Sequence, residues 1–255
     1  MIAALLLAAS VGLTNMANID AGEFRPLYLA KDSSLIPVEA FALDRLPVTN
    51  AQYFAFVTDN PRWQKSSIPS IFADSRYLQH WKKGESEDRR IPDQSILENA
   101  VVNVSWFAAQ AYCQSQAKRL PTVSQWEYAG LASETLADGR DEPGFRQRIL
   151  DWYAKHGTPE DIMVGQTTAN YWGIHDMHGL IWEWTKDFNS ALVSGESRAD
   201  SAIDQNLYCA AGSVGAADPG DYAAFMRYGF RSSLSANYSM ANLGFRCASS
   251  KELPE

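Results

Sequence analysis

Two carboxylates lie close together in the segment SVGAADPGDYAAF, near the end of the chain. Asp218 and Asp221 flank a Pro-Gly pair, which is typical of a tight turn. Two carboxylates in a concave site can act as acid and base, or bind a cation, when burial and mutual repulsion separate their pKa values. The same four residues are also typical of an ordinary exposed turn, so a catalytic pair and a plain turn are both open.

The chain has few cysteines and histidines that could act as nucleophiles or metal ligands. The chain has three cysteines, which are too few for a disulfide scaffold and lack the spacing of a metal finger. Cys209 is either a buried free thiol or a reactive or metal-binding one. His175 and His178 would lie on one face only within a helix, and Gly179 favours a loop, so we do not interpret them as a metal-binding pair.

The clearest secondary-structure signals lie in residues 101–130, where two short helices are expected to meet at a tight corner. Ser105 is an N-cap, and the apolar residues after it recur at helical spacing, which predicts a helix that ends near Lys118. Thr122 and Gln125 form a capping box that starts the second helix.

A second capping box precedes these helices. Thr49 and Gln52 have the required spacing and predict a helix over residues 49–58. Apolar and polar residues alternate over residues 23–30 and 38–44, which predicts two strands of an antiparallel sheet.

Much of the remaining chain is irregular. Residues 59–99 contain prolines that prevent long elements, and residues 145–153 have a helical pattern. Phe72, Tyr77 and Trp81 either line a substrate groove or cover a core. Together these patterns predict one compact α+β domain, with short helices around a small, twisted antiparallel sheet.

Composition excludes several classes of protein. A chain of 255 residues with 46% hydrophobic residues can form a globular core. Its net charge of −8 argues against nucleic acid as a partner, because binding phosphates requires a concentrated basic face. The sequence contains no run of the roughly 20 apolar residues that a membrane span requires.

The first residues are a candidate signal peptide. Residues 2–13 have the length of an apolar signal core, and Ala17 could precede a cleavage site, which would leave residues 18–255 as the mature domain and place it in the periplasm. No Lys or Arg precedes the apolar core. The alternative is that Met16 is the true start, in which case the protein is cytoplasmic.

Several segments resemble one known family, that of the formylglycine-generating enzymes, also called sulfatase-modifying factors. The segment VSWFAAQAYCQSQAKRLPTVSQWEYAG (residues 104–130) resembles the family's central motif. GIHDMHGLIWEWTKD (173–187) and MRYGFRSSLSANYSMANLGFRCA (226–248) resemble two later motifs in the same order, and residues 37–57 resemble its opening strand and helix. The likeness covers most of residues 19–249.

The resemblance implies a fold and a disulfide. The family's single domain is related to C-type lectin-like domains and has short helices, small sheets and much irregular chain. Its conserved bridge would join Cys113 to Cys247, whereas the positions of its second bridge hold Gly130 and Tyr228. Closing that loop would stabilise the fold by roughly 2 to 5 kcal/mol and would favour an oxidising compartment. Two buried free thiols are the alternative.

The resemblance also implies a calcium site in residues 173–187. Asp176 and Glu183 would supply side-chain oxygens, and Gly179 and Ile181 would supply main-chain oxygens. Calcium takes six to eight oxygen ligands, which a bent loop can provide. Calorimetry on chelator-treated protein tests this expectation, because heat should accompany calcium binding.

Copper chemistry of the family's kind is not expected. The family's two catalytic cysteines fall at Asp218 and Ala223, and Cu(I) prefers paired thiolates, so no copper-dithiolate site is expected. Arg227, Arg231 and Arg246 match family arginine positions. Arg231 is the best candidate to meet an anionic substrate group, and a structural ion pair is the equal alternative.

These features are most similar to the family's cysteine-lacking branch, which includes an accessory protein associated with copper nitrite reductase. The resemblance implies an exported accessory or maturation protein of nitrogen-oxide respiration, whose partner is a redox enzyme or its maturation machinery. One alternative is an oxidoreductase that uses an aspartate-lined pocket on a small molecule or peptide. Another is a non-catalytic, lectin-like domain that binds a ligand.

Overall fold

The computed structural model describes residues 15–27, 34–84, 90–154, 162–189 and 222–250. Within these ranges short helices and short strands are joined by long irregular connections, which confirms the predicted α+β class. The helices are α1 (Asn50–Asp59), α2 (Trp106–Ser115), α3 (Val123–Gly130), α4 (Phe145–Tyr153) and α5 (Tyr222–Ser232). The strands are β1 (Met16–Ile19), β2 (Gly22–Phe24), β3 (Ile36–Val38), β4 (Phe41–Asp44), β5 (Lys82–Lys83), β6 (Arg90–Ile91), β7 (Trp182–Glu183), β8 (Leu243–Gly244) and β9 (Ala248–Ser249).

The central sheet has three antiparallel strands in the order β1-β4-β9. Ile19 pairs with Phe41, and Leu43 pairs with Ala248, so the two ends of the described chain meet in one sheet. Strands β7 and β8 pair in parallel, which departs from the expected purely antiparallel arrangement. No helix among the described residues is both long and apolar enough to cross a membrane.

The strands predicted over residues 23–30 and 38–44 do not have the predicted bounds. Residues 38–44 do not form one strand, because β3 pairs with β2 in one sheet whereas β4 pairs with β1 and β9 in another. The predicted strand over residues 23–30 is strand only in β2, and residues 28–30 lie outside the described part of the chain. Local alternation of residues does not show where a chain passes from one sheet to the next.

The capping boxes predict the starts of two helices correctly. The hydroxyl of Thr49 accepts the Gln52 backbone N–H at the start of α1, and the Gln52 side chain accepts the Thr49 backbone N–H in return. Thr122 and Gln125 make the same reciprocal pair at the start of α3. These bonds satisfy donors that a helix start otherwise leaves unpaired.

Helix α2 starts at its predicted cap, Ser105, but it ends at Ser115, short of the predicted end near Lys118. Ala117 adopts a left-handed conformation with φ of 56°. The backbone N–H of Lys118 then donates to the carbonyl of Cys113 at 2.8 Å, and that of Ala117 donates to Gln114. These are the two bonds of a Schellman cap, here built without the usual glycine.

The main core lies between α1, α2 and the chain near β8. Its largest fully buried side chains include Tyr53, Trp81, Trp184 and Phe245. Tyr77 and Trp81 are 0% and 1% exposed, so they belong to this core and do not line a groove. Of the two alternatives for these residues, a substrate groove or a core, the structure confirms the core.

The predicted boundary between residues 17 and 18 lies inside β1. Met16 and Ala17 are buried and pair with Asp44 and Leu43 of β4. A chain that began after Ala17 would therefore lose two of the four paired residues of this strand.

Candidate functional site

A set of buried charges surrounds Trp126 and brings together four distant parts of the chain. We call this set the charge cluster. Its carboxylates come from α3 and β7, and its guanidinium groups come from α5 and from the residue before Cys247. All of the charged members are at most 5% exposed. The members are Glu127, Glu183, Arg227, Arg231 and Arg246, with the ring of Trp126 between them.

Glu127 pairs with two arginines of α5. Arg227 and Arg231 are four residues apart, so they lie on the same face of that helix. Arg227 donates to the Glu127 carboxylate from Nε at 3.0 Å and from Nη2 at 2.7 Å. Arg231 donates from Nη1 to Oε1 of Glu127, an oxygen that Nε of Arg227 also contacts, whereas Nη2 of Arg227 donates to Oε2.

Glu183 holds the second carboxylate of the cluster. Arg246 donates to it from Nε and Nη2, each at 2.8 Å to the nearest oxygen. The indole N–H of Trp126 also donates to Glu183, at 2.8 Å. Arg246 further donates to the carbonyls of His175 and Asp44, so the pair contacts both the 173–187 loop and the central sheet.

The charges on α5 determine the ionisation of Glu127. Burial alone would raise the pKa of this carboxyl group, but the charges and hydrogen bonds of Arg227 and Arg231 outweigh burial and hold the pKa at about 2. Both guanidinium groups also lie over the ring of Trp126, at 5.8 and 4.8 Å from its centroid. Two carboxylates against three arginines leave one positive charge in excess.

The described surroundings of Arg231 leave little room for a substrate. Trp182 is stacked between Tyr153 and Phe230, with ring centroids 5.2 and 4.4 Å away. The void that Arg231 lines beside this stack has a volume of about 10 Å³, roughly that needed for a single water. Of the two alternatives for Arg231, the structure shows the ion pair.

The predicted acid and base cannot be placed. Asp218, Asp221 and Cys209 all lie outside the described residues. The oxidoreductase alternative, which depends on a pocket lined by those aspartates, stays a prediction.

The family's disulfide is kept here, whereas a catalytic cysteine position holds a different residue. Cys113 and Cys247 form a disulfide with Cα atoms 5.6 Å apart, as the resemblance implies. Ala223, at one of the expected catalytic cysteine positions, is 3% exposed and packs against Phe145 and Ile149. This position therefore contributes a methyl group to an apolar cluster.

The two predicted side-chain ligands for calcium, Asp176 and Glu183, already accept hydrogen bonds. The carboxylate of Asp176 accepts the backbone N–H groups of Gly165 and Thr167 and the hydroxyl of Thr167. Glu183 is neutralised by Arg246. A carboxylate directed at such donors does not face a cation, so the arrangement does not fit a calcium ion held by Asp176, Gly179, Ile181 and Glu183. Calcium binding by the chain stays a prediction for calorimetry.

The two histidines of this loop contact different parts of the chain. A ring nitrogen of His175 lies 2.7 Å from the carbonyl of Thr167, and one of His178 lies 2.7 Å from the carbonyl of Gly130. Burial lowers the pKa of His178 to about 4, so its ring is neutral at pH 7. No group of three or more metal-ligating side chains occurs in the described ranges.

Sequence reasoning missed Glu127 and an aromatic groove beside α2. The signal for Glu127 was its spacing, since it follows buried Val123 by four residues on the inner face of α3. A buried acid requires a cationic partner. The groove has a volume of about 430 Å³ and includes Trp63, Phe72 and Phe107. Phe72 is thus the one member of the predicted aromatic set that lines a groove.

A family comparison agrees with the motifs. The model of the sulfatase-modifying factor enzyme 1-like domain matches residues 8–251, which is nearly the whole chain.

Some relatives of this chain are named as formylglycine-generating enzymes, and others are named as inactive. The formylglycine-generating enzyme of Streptomyces coelicolor is 30% identical, over 86% of this chain and 81% of that protein. The inactive C-alpha-formylglycine-generating enzyme 2 of Bos taurus is 28% identical, over 86% of this chain and 80% of that protein. Among solved structures, PvdO from Pseudomonas aeruginosa has a TM-score of 0.47 and 17% identity, covering 92% of this chain and 94% of that one.

Substitution E127Q should destabilise the fold by about 3 to 5 kcal/mol, because it leaves two buried arginines without a carboxylate. The free energy of unfolding in urea measures this loss. The matched control is Glu134→Gln on the exposed loop after α3, which should change stability by less than about 0.5 kcal/mol.

Replacing Glu127, Arg227 and Arg231 together by apolar residues distinguishes the cost of an unpaired buried charge from the cost of altered packing. The variant E127L/R227M/R231L should lose less stability than E127Q, because no buried charge is left unpaired. A stability of E127Q equal to that of Glu134→Gln would contradict the structural role of this ion pair.

Proposed function

This chain belongs to the sulfatase-modifying factor family, and we propose that it acts as an accessory or maturation protein rather than as a copper-dependent formylglycine-generating enzyme. One observation carries the proposal. The chain has three cysteines, and Cys113 and Cys247 are joined to each other, so Cys209 alone is left as a thiol. A Cu(I) site built from two thiolates of one chain requires two free cysteines.

The surroundings of Ala223 support the same conclusion. A methyl group packed against Phe145 and Ile149 cannot bind a metal. Near the other end of α5, Arg231 is paired with Glu127 beside a void about the size of a water. The described residues along α5 thus form a packed interior whose charges are engaged in ion pairs.

The relatives fit such a reassignment of function. The family includes proteins named as formylglycine-generating enzymes and others named as inactive counterparts. Membership therefore supplies the fold without requiring the reaction.

A second candidate is a non-catalytic domain that binds a ligand. The aromatic groove beside α2 favours it, because a concave, mostly apolar surface with a few polar groups is typical of binding sites. The two candidates are compatible, since an accessory protein must recognise its client.

We further propose export to the periplasm and a client in nitrogen-oxide respiration. The disulfide supports an oxidising compartment. The choice of client rests on the similarity of VSWFAAQAYC and YAAFMRYGFRSSL to an accessory protein associated with copper nitrite reductase.

The purified chain, supplied with Cu(I), oxygen and a cysteine-containing sulfatase peptide, should form no aldehyde. The reason is the missing second thiol, and mass spectrometry of the peptide measures the product. The Streptomyces coelicolor enzyme is the positive control, and Cys209→Ser should be as inactive as the natural chain. Formation of aldehyde above the enzyme-free background would overturn the proposal.

A copper nitrite reductase produced in a host that also makes this chain should contain more copper per subunit and turn over nitrite faster than the same enzyme produced without it. Equal copper content and equal turnover in the two hosts would remove the link to this client. That result would leave the conclusion from the formylglycine assay unchanged.

A further inference from the structure

The aromatic groove lies between the outer face of α2 and residues 61–72. Its volume of about 430 Å³ is within the range of about 300 to 1,000 Å³ that is common for binding pockets. It shares no lining residue with the void beside Arg231. The residues that line it are Arg62, Trp63, Ser67, Ile68, Pro69, Phe72, Trp106, Phe107, Gln110, Ala111 and Gln114.

The aromatic wall of the groove is fixed by ring contacts and hydrogen bonds. Phe72 meets Trp63 and Phe107 edge to face, with centroids 6.4 and 5.2 Å apart. The carbonyl of Trp63 accepts the hydroxyl of buried Tyr77 at 2.8 Å, and the indole of Trp106 donates to Thr185 at 2.9 Å. A wall held in this way is formed before a ligand arrives, which lowers the entropic cost of binding.

The groove also leaves apolar surface in contact with water. Phe72 is 39% exposed, and Ile71, the preceding residue, is 69% exposed but does not line the groove. Exposed apolar surface at a concave site is typical of a recognition surface. An aromatic side chain placed in the groove would cover the exposed part of the Phe72 ring.

The polar groups of the groove match an extended backbone. Gln110 and Gln114 are four residues apart on α2, so they lie on one face with Cβ atoms about 5 to 6 Å apart. Each amide can both donate and accept. Alternate residues of an extended peptide are about 6.6 Å apart and present the same two kinds of group. The two glutamines can therefore pair with successive peptide groups along one side of a bound strand.

Charge restricts the ligand further. Arg62 is exposed and is the charged residue of the groove, since no acid occurs among its lining residues. Its guanidinium carbon lies 5.4 Å from the ring centroid of Trp63. In a chain of net charge −8, this local excess of positive charge favours an acidic partner.

We propose that the aromatic groove binds an extended segment of a partner protein in which a large aromatic side chain is followed by an acidic one. The aromatic ring packs against the wall formed by Phe72 and Phe107, and the acidic side chain pairs with Arg62. This inference goes beyond the accessory role and does not depend on it, because neither Asp218 nor Ala223, at the family's catalytic cysteine positions, is among the lining residues of the groove.

The test is a titration of the nitrogen-15-labelled full chain with acetylated hexapeptides, followed through the indole signals of Trp63 and Trp106. Gly-Ser-Phe-Asp-Gly-Ser should give saturable shifts at millimolar concentration. Replacing Asp by Lys should weaken binding about threefold, the size expected of an exposed ion pair. Replacing Phe by Ala should abolish saturation.

Reversal of one charge in the protein provides the matched test. The variant R62E should prefer the Phe-Lys peptide over the Phe-Asp peptide by about threefold. The control Arg148→Glu makes the same change of net charge away from the groove and should keep the original preference.

Three results would overturn the proposal. One is the absence of saturable shifts at Trp63 and Trp106 with the Phe-Asp peptide. Another is an unchanged peptide preference in R62E. The third is binding of phenylacetate as tight as that of the hexapeptide, which would assign the groove to small molecules instead.

Discussion

The buried carboxylates of this chain depend on arginines that come from distant parts of the sequence. Glu127 meets Arg227 a hundred residues later, and Glu183 meets Arg246 63 residues later. A carboxylate that is moved from water into a protein interior must be paired and hydrogen-bonded, or the cost of burial exceeds the stability of a typical domain. These pairs therefore specify which helix faces which loop, even where their net contribution to stability is small.

Trp126 joins the two halves of this arrangement. Its indole N–H binds one carboxylate, while its ring lies against the arginines that neutralise the other. The disulfide between Cys113 and Cys247 connects α2 to the residue next to Arg246. Covalent and ionic links thus stabilise the same junction of α2, α3 and the last strand. A junction with these links and with so little empty space is suited to stabilising the fold, and the groove that we propose for recognition lies beside α2.

Features set by neighbouring residues could be predicted from the sequence. The capping boxes at Thr49 and Thr122 start their helices as expected, because both partners of each hydrogen bond lie within four residues. The early end of α2 was missed, since Ala117 adopts a backbone conformation that usually requires glycine. The division of residues 38–44 between two sheets was missed because strand partners are distant in sequence.

The same distinction applies to the site. The pairing of Cys113 with Cys247 followed from family resemblance, whereas the partner of Arg231 did not follow from any local pattern. Tyr77 and Trp81 are aromatic residues of a type that can line a groove. They are buried instead, because they pack in the core around Tyr53. Asp218 and Asp221 lie outside the described chain, so their chemistry rests on the sequence alone.

Two arginines hold the ionised carboxylate of Glu127 in the interior of the fold. A carbon-13 NMR titration of the Glu127 side-chain carboxyl tests this pairing. We expect a midpoint near the pKa of about 2, or no titration before the protein unfolds in acid. A midpoint near pH 4.5, the ordinary value for glutamate, would show that the arginines do not hold this charge.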